Sequence, residues 1–246
     1  MNGDSLQTSR PSLLSSVLPE MRLSYWFCRL ICQWTCVLLL KARVFGRHHF
    51  PARGGVLLVS NHQSFMDPVL VTMALYREGN YMARDTLFEN KWFRRLIVFL
   101  NAYPIKRGTA DMVAIKETMR RLKEGRVVAA FPEGTRSRDG RIGPMFAGLA
   151  TVAKKVKAPI VPTLIDGMER AWPRHRKFPG LGNVVIEYGK PITAEEYADM
   201  TPDELTEEIR RRIIEMQTRW HRRVPARRLQ WFETEAPSVH GSQAGT

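Results

Sequence analysis

The chain has 246 residues, room for one large domain or two small ones. Its 44% hydrophobic and 25% charged residues, with 17 glycines and 15 prolines, are those of an ordinary globular protein and exclude a collagenous or wholly disordered chain. Lys and Arg number 38 against 24 Asp and Glu, a net charge of +14. That potential attracts phosphates, anionic lipids or nucleic acid; it gives the sign of the partner, not its identity.

Residues 1–20 are polar and Ser-rich with two prolines, too poor in apolar surface to offset the entropy of ordering, and read as a disordered N-terminus. Residues 21–43 form the next unit. Within it, Leu23 to Leu40 is mostly apolar but is interrupted by Arg29 and Gln33 and closed by Lys41 and Arg43. A clean membrane span needs about 20 apolar residues, whereas a helix with Trp26, Phe27 and Trp34 beside cations suits the interfacial zone. The segment is therefore expected to lie in a membrane surface rather than cross it. It starts late, is long and lacks a small-residue cleavage site, unlike a signal peptide. Cys28, Cys32 and Cys36 follow at intervals of four, along one helical face. This geometry is poor for disulfides and lacks the spacing of a metal site, so a reducing compartment and no metal are expected.

Six apolar runs read as strands: Val56 to Ser60, Tyr81 to Arg84, Ala102 to Lys106, Val127 to Phe131, Ile160 to Ile165 and Val184 to Tyr188. Each is bounded by Gly, Pro or polar residues, and continuous hydrophobicity indicates strands covered on both faces. Between the third and fourth, Met112, Ile115, Met119 and Leu122 repeat at helical spacing, with Thr109 placed to cap the start and Gly125 to end the helix. Thr201-Pro202-Asp203-Glu204 is a capping box with proline at the first helical position. It precedes the stripe Leu205, Ile209, Ile213, Met216 and Trp220, whose opposite face is basic. Together these predict an α/β fold with a mostly parallel central sheet flanked by helices, preceded by an amphipathic membrane-associated helical segment. Residues 226–246 are expected to be a flexible tail.

Three constellations could carry chemistry. After the first apolar run comes Asn61-His62-Gln63-Ser64-Phe65-Met66-Asp67-Pro68. Ligands of open α/β sheets gather beyond the carboxyl ends of strands, and an Asp-Pro helix start would turn the chain back toward His62. A carboxylate behind an imidazole fixes its tautomer and steadies the imidazolium, which is general-base equipment; helix capping by Asp67 is the plain alternative. No Gly-x-Ser-x-Gly elbow surrounds Ser64. The second constellation is Phe131-Pro132-Glu133-Gly134-Thr135-Arg136-Ser137. Gly134 permits close backbone approach, Thr135 and Ser137 offer hydroxyls, and Arg136 offers a fork suited to phosphate. Glu133 could accept from a substrate hydroxyl or hold Arg136, and an ordinary polar turn would look the same. In the third, Tyr103-Pro104-Ile105-Lys106-Arg107-Gly108, two cations precede a helix N-terminus, a favourable place for anions. No GxxxxGK[ST], GxGxxG or HExxH is present, so nucleotide hydrolysis, dinucleotide binding and zinc proteolysis have no support.

Asn61-His62 with Asp67 resembles the NHxxxxD motif, and Phe131 to Ser137 the FPEGTRS motif, of the glycerolipid acyltransferases. Tyr103 to Arg107 stands in the place of that family's second motif and Ile160-Val161-Pro162 in the place of its fourth. The resemblance runs from about Val44 to Gly189 and implies an acyltransferase domain, taken here as residues 44–225. It implies an enzyme moving a fatty acyl group from acyl-CoA or an acyl carrier protein thioester to the free hydroxyl of lysophosphatidic acid, giving phosphatidic acid without a covalent acyl-enzyme. By the same resemblance His62 is the general base and Asp67 orients it. Arg107, Glu133, Gly134, Thr135 and Arg136 bind the glycerol-phosphate end, and Val161 and Pro162 help line a pocket. No cofactor beyond the thioester co-substrate is implied, and the enzyme is expected at the membrane, on the cytoplasmic face of the inner membrane. The chain departs from the family pattern at Asn101-Ala102-Tyr103-Pro104, where Gly-x-Phe is common, and at Arg84, where a lysine is common. Glycerol-3-phosphate, another lysophospholipid or a lyso-aminolipid are alternative acceptors, and a lipid-binding protein without turnover is the alternative outside catalysis. Nucleic acid is not an expected partner: Arg210, Arg211, Arg212, Arg219, Arg222, Arg223, Arg227 and Arg228 better suit anionic headgroups or an acidic carrier protein. The aromatic and basic stretch Phe88 to Leu100 suits either a lipid surface or a helix packed on the sheet.

Overall fold

A computed structural model describes residues 23–106, 111–173, 175–176 and 178–224. Both expected termini lie outside these. The chain begins with α1 (Leu23–Leu40) and a short strand β1 (Arg43–Phe45), then alternates β2 (Val56–Ser60), α2 (Asp67–Met73), β3 (Gly79–Arg84), α3 (Lys91–Phe99), β4 (Ala102–Ile105), α4 (Met112–Lys123), β5 (Val127–Ala130), α5 (Gly148–Val156) and β6 (Ile160–Asp166). One turn of helix, α6 (Met168–Ala171), the strand β7 (Val185–Tyr188) and the long α7 (Pro202–Arg223) complete it. The sheet order is β1-β7-β6-β2-β5-β3-β4. All neighbours are parallel except β6 and β7.

All six expected strands form, and the alternation of the central ones explains why they read as unbroken apolar runs. Val56 and Leu58 point to a core with Leu70 and Val71 of α2 and with Cys36 and Leu40 of α1. Leu57 and Val59 point to the other core, with Leu122 of α4, Ala150 and Ala153 of α5, and Leu205, Ile209, Ile213 and Met216 of α7. Every residue of β2 and β6 is buried, as helices on both faces of a sheet require.

Helix ends follow local chemistry. Thr201 accepts from the Glu204 amide while the Glu204 side chain accepts from the Thr201 amide, completing the box expected for α7. The cap of α4 is not Thr109, which lies outside the described residues, but Asp111, whose Oδ1 accepts from the amides of Val113 and Ala114 at 3.1 Å each. Three missed elements lack such signals: β1 has three residues, and neither α5, which begins at a glycine, nor the single turn α6 has a side-chain cap.

The middle of the basic face of α7 is neutralised by acids of the same helix. Arg210 pairs with Glu207 at 2.8 Å, Arg211 with Glu208 at 2.8 Å, and Arg212 with Glu208 at 2.7 Å. Arg219 pairs with Glu187 of β7. The first half of the expected cationic cluster is thus paired, whereas Arg222 and Arg223 in the last turn are exposed; Arg227 and Arg228 lie outside the described residues.

α1 turns its polar residues inward. Arg29 Nε donates to the Met73 carbonyl at 2.7 Å, and Gln33 Nε2 donates to the same oxygen at the end of α2. The aromatic side faces outward, with Trp26 48%, Phe27 59% and Trp34 60% exposed. With Tyr25, Cys36 and Leu40 buried on the inner side, α1 packs one face on the domain and leaves a second apolar face exposed. By length and composition α1 is also the one helix among the described residues that could cross a membrane, with mean hydropathy 1.4 and 17% of the window buried.

Candidate active site

β2 and β5 are neighbours, but the chain leaves them in opposite directions. From β2 it passes through α2 to β3; from β5 it passes through α5 back across β2 to β6. α2 and α5 lie on opposite faces of the sheet, so a crevice opens at the carboxyl ends of β2 and β5, the place where such sheets bind ligands. The loop after β2 carries Asn61 to Met66, and the loop after β5 carries Phe131 to Ser137.

Asn61 anchors the first loop. Its Nδ2 donates to the Ile165 carbonyl at 2.9 Å and its Oδ1 accepts from the Ile165 amide at 2.8 Å, clamping the end of β2 to β6. α2 then starts at Asp67-Pro68, which returns the Asp67 carboxylate beneath the loop. Its Oδ2 accepts from the Gln63 amide at 2.6 Å, the Ser64 amide at 2.7 Å and His62 Nδ1 at 2.8 Å. Asp67 is fully buried and His62 is 8% exposed. A carboxylate only accepts, so Nδ1 carries a proton, and in the neutral imidazole Nε2 keeps the lone pair. The imidazole stacks on Phe131 with ring centroids 4.6 Å apart. This arrangement can abstract a proton at Nε2 and hold the resulting imidazolium against a buried negative charge. Ser64 is not a nucleophile in this setting: it is buried, and its hydroxyl donates to the Trp172 carbonyl at 3.3 Å.

Glu133 corrects part of the expected site. Its Oε1 accepts from the His62 amide at 2.8 Å and its Oε2 from the Gly143 amide at 3.0 Å, so it straps the two loops together rather than holding Arg136. Burial pushes its carboxyl above the ordinary glutamate range, with the two amide bonds opposing that shift. The strap is completed by Ser137, whose amide donates to the His62 carbonyl at 2.7 Å. Glu133 therefore fixes the backbone of His62, a role no local sequence signal announces because its partners are main-chain groups distant in sequence.

Gly134 has φ 66°, the left-handed region that glycine enters without penalty. It turns the chain so that Thr135 is exposed and Arg136 half-buried at the mouth of the crevice. Arg136 has no hydrogen bond or ion pair among the described residues, leaving its guanidinium for a ligand. Arg107 lies outside the described residues. Its neighbour Lys106 follows β4, and Arg84 ends β3 opposite Ile105, so these cations share the sheet edge that carries His62. Tyr103 is structural: it is 4% exposed and its hydroxyl is 2.8 Å from that of Thr118. Val161 and Pro162 sit mid-strand in β6 opposite Leu58 and Val59. Both are buried, Val161 completely, so they belong to the core under the site and not to a pocket wall. Among the described residues no cluster of His, Cys, Asp and Glu could hold a metal ion.

An α/β sheet holds a buried His-Asp pair at its switch point with a glycine-turned arginine loop beside it, and a family model described as Acyltransferase matches residues 41–166. The chain belongs to this acyltransferase family and is an enzyme of that kind. It is 27% identical over 200 residues to the 1-acyl-sn-glycerol-3-phosphate acyltransferase of Bacillus subtilis (strain 168), covering 79% of this chain and 98% of that protein. It is 30% identical to the chloroplastic LPAT1 of Arabidopsis thaliana, covering 71% of this chain and 49% of that longer protein. The crystal structure of the 1-acyl-sn-glycerophosphate (LPA) acyltransferase PlsC from Thermotoga maritima superposes with a TM-score of 0.68 at 25% identity, covering 85% of this chain and 88% of that one.

Proposed function

We propose that this enzyme is a 1-acyl-sn-glycerol-3-phosphate O-acyltransferase that uses acyl-CoA or acyl carrier protein thioesters. The observation that carries the reading is the 2.8 Å contact between His62 Nδ1 and buried Asp67, at the strand ends where the arginine loop also arrives; the names of the relatives from Bacillus subtilis and Thermotoga maritima supply the acceptor.

In this reading the free hydroxyl of lysophosphatidic acid gives its proton to His62 Nε2, and Asp67 stabilises the imidazolium. The acceptor oxygen attacks the thioester carbonyl carbon, and the C–S bond breaks as the tetrahedral intermediate collapses. The imidazolium returns its proton to the departing thiolate, so the products are phosphatidic acid and a free thiol. No acyl-enzyme forms. Arg136 and Arg107 bind the acceptor phosphate, Gly134 and Thr135 shape the loop that presents Arg136, and Glu133 holds the backbone of the base. A positioned base of this type contributes about 10²–10⁴-fold in rate.

The outward aromatic face of α1 supports membrane association, with the helix lying at the interface because Arg29 and Gln33 are turned to the domain. Donor thioesters are cytoplasmic molecules, which favours the cytoplasmic face.

The test is acyl transfer from labelled acyl-CoA and acyl carrier protein to lysophosphatidic acid, in membranes carrying wild type or His62→Ala. Phosphatidic acid from wild type alone is expected. Equal transfer by both proteins would remove His62 from the mechanism, and transfer only to glycerol-3-phosphate or another lysolipid would change the acceptor.

A further inference from the structure

A cleft of about 580 Å³ opens beside His62, within the size range of small-molecule sites. It is lined by Gln63, which follows the base in sequence, and by Ser137, whose amide holds the His62 carbonyl. Arg138, Arg170 and Arg176 line it too. Three guanidinium groups thus face one carboxylate, Glu169, and that carboxylate is engaged by Arg170 at 2.9 Å. Arg170 also lies 4.0 Å from buried Asp166, which His221 contacts at 3.0 Å, so its position is set by the core. Arg138 and Arg176 have no acidic partner among the described residues.

Gln63 gives an independent sign of a ligand. It is 1% exposed, and its Oε1 accepts from the Met168 amide at 3.1 Å, which fixes the orientation of the side-chain amide. The Nε2 donor is buried with no hydrogen-bond partner. A buried donor left unpaired is costly, and an acceptor oxygen in the cleft would remove that cost.

We infer that this cleft receives the phosphate-bearing pantetheine arm of the acyl thioester donor, with Gln63 Nε2 donating to a carbonyl of the arm and Arg138 and Arg176 binding its phosphate. The inference rests on the acyl-transfer reading above. β5 and β6 flank β2 on opposite sides, and the loops that follow them meet beside the loop of the base. Arg84 and Lys106 stand at the ends of β3 and β4 on the far side of β5, where the acceptor phosphate is assigned, whereas Glu169, Arg170 and Arg176 follow β6 and line the cleft together with Arg138 of the loop after β5. The donor must bring its carbonyl carbon to a hydroxyl already held at His62 Nε2 while its polar arm leads away to water. A cleft with cationic side chains, lined by the residue next to the base, meets that requirement.

The experiment uses the full chain in vesicles and the variants Arg138→Gln and Arg176→Gln, singly and together; both arginines are exposed, so thermal unfolding within a few degrees of wild type is expected. The double variant raises the KM for acyl-CoA about tenfold or more, the loss of roughly one charge-assisted bond, with kcat and the KM for lysophosphatidic acid within about twofold. Coenzyme A alone, titrated calorimetrically, loses affinity by a similar factor. Arg136→Gln serves as the opposite control, raising the acceptor KM. A rise confined to the acceptor KM overturns the inference and gives the cleft to the acceptor phosphate. Unchanged KM values with weaker binding to anionic vesicles overturn it in favour of a lipid headgroup. If wild type transfers to no acceptor, the functional reading fails on its own. Coenzyme A binding that the double variant loses would then still support the cleft assignment, and no binding by wild type would end it.

Discussion

The main-chain N–H of His62 donates to the Glu133 carboxylate at 2.8 Å, so the loop carrying the base is held by a side chain from the neighbouring strand's loop. Replacing Glu133 by Gln leaves one oxygen for two amide donors, His62 and Gly143, and turns an NH₂ group toward one of them. A cost of about 1–3 kcal/mol for the orphaned donor is expected, with kcat falling about tenfold or more as the loop loosens. Burial raises the carboxyl of Glu133 in the folded state. The stability that wild type draws from holding this proton is therefore fully present below the ordinary glutamate value of about 4.3 and declines as pH rises through the raised folded value. Glutamine has no such dependence. Urea titrations should show the stability of wild type relative to Glu133→Gln higher at about pH 4 than at about pH 7; the opposite trend would mean that the folded protein prefers the carboxylate.

Asp67→Asn separates charge from geometry. All three N–H groups converge on Oδ2, while Oδ1 has no partner. An amide can place its oxygen at the first position and its NH₂ at the second, preserving the loop while losing the charge that stabilises the imidazolium. Expected are a kcat lower by about 10²–10⁴-fold and an unfolding free energy within about 1–2 kcal/mol of wild type. Single-turnover rates and calorimetry on the same preparation check both. A near-normal rate would show that the pair is only a helix cap.

Much of this was legible because local chemistry and global fold agree. Unbroken apolar runs identified strands buried on both faces, the Thr201–Glu204 box located α7, and the Asp67-Pro68 helix start implied the return of the carboxylate to His62. What stayed hidden depends on partners far along the chain. Glu133 reads as a ligand for substrate because its real partners are amides, which carry no sequence label. Val161 and Pro162 match a motif position yet lie under the site, since β6 is central and covered on both sides. Arg210, Arg211 and Arg212 of α7 look like an open patch until their acidic neighbours at i−3 and i−4 are counted.

The outward face of α1 should govern membrane binding without governing stability. Trp26, Phe27 and Trp34 are 48%, 59% and 60% exposed, so Trp26→Ser, Phe27→Ser and Trp34→Ser together remove little packing from the domain. Each aromatic contributes on the order of 1 kcal/mol or more when its apolar surface leaves water. Flotation with anionic liposomes should show partitioning weakened on the order of 100-fold, with thermal unfolding in detergent unchanged. Binding that survives the triple substitution would shift the anchoring to another surface, and a loss of fold would mean that these rings pack against the domain.

Gly134 tests whether the arginine loop needs its left-handed turn. At φ 66° an alanine pays about 1–2 kcal/mol for its Cβ. The added carbon would also sit 3.1 Å from Phe146 Cε2, but that ring is 72% exposed and can move aside at small cost. The backbone term should therefore dominate. Asparagine enters the left-handed region more readily than alanine, so Gly134→Asn should retain more stability than Gly134→Ala despite its larger side chain. Both should raise the acceptor KM by moving Arg136, Ala more than Asn, while leaving the donor KM within about twofold. If Asn proves the more damaging substitution, crowding against Phe146 controls the loop instead of φ.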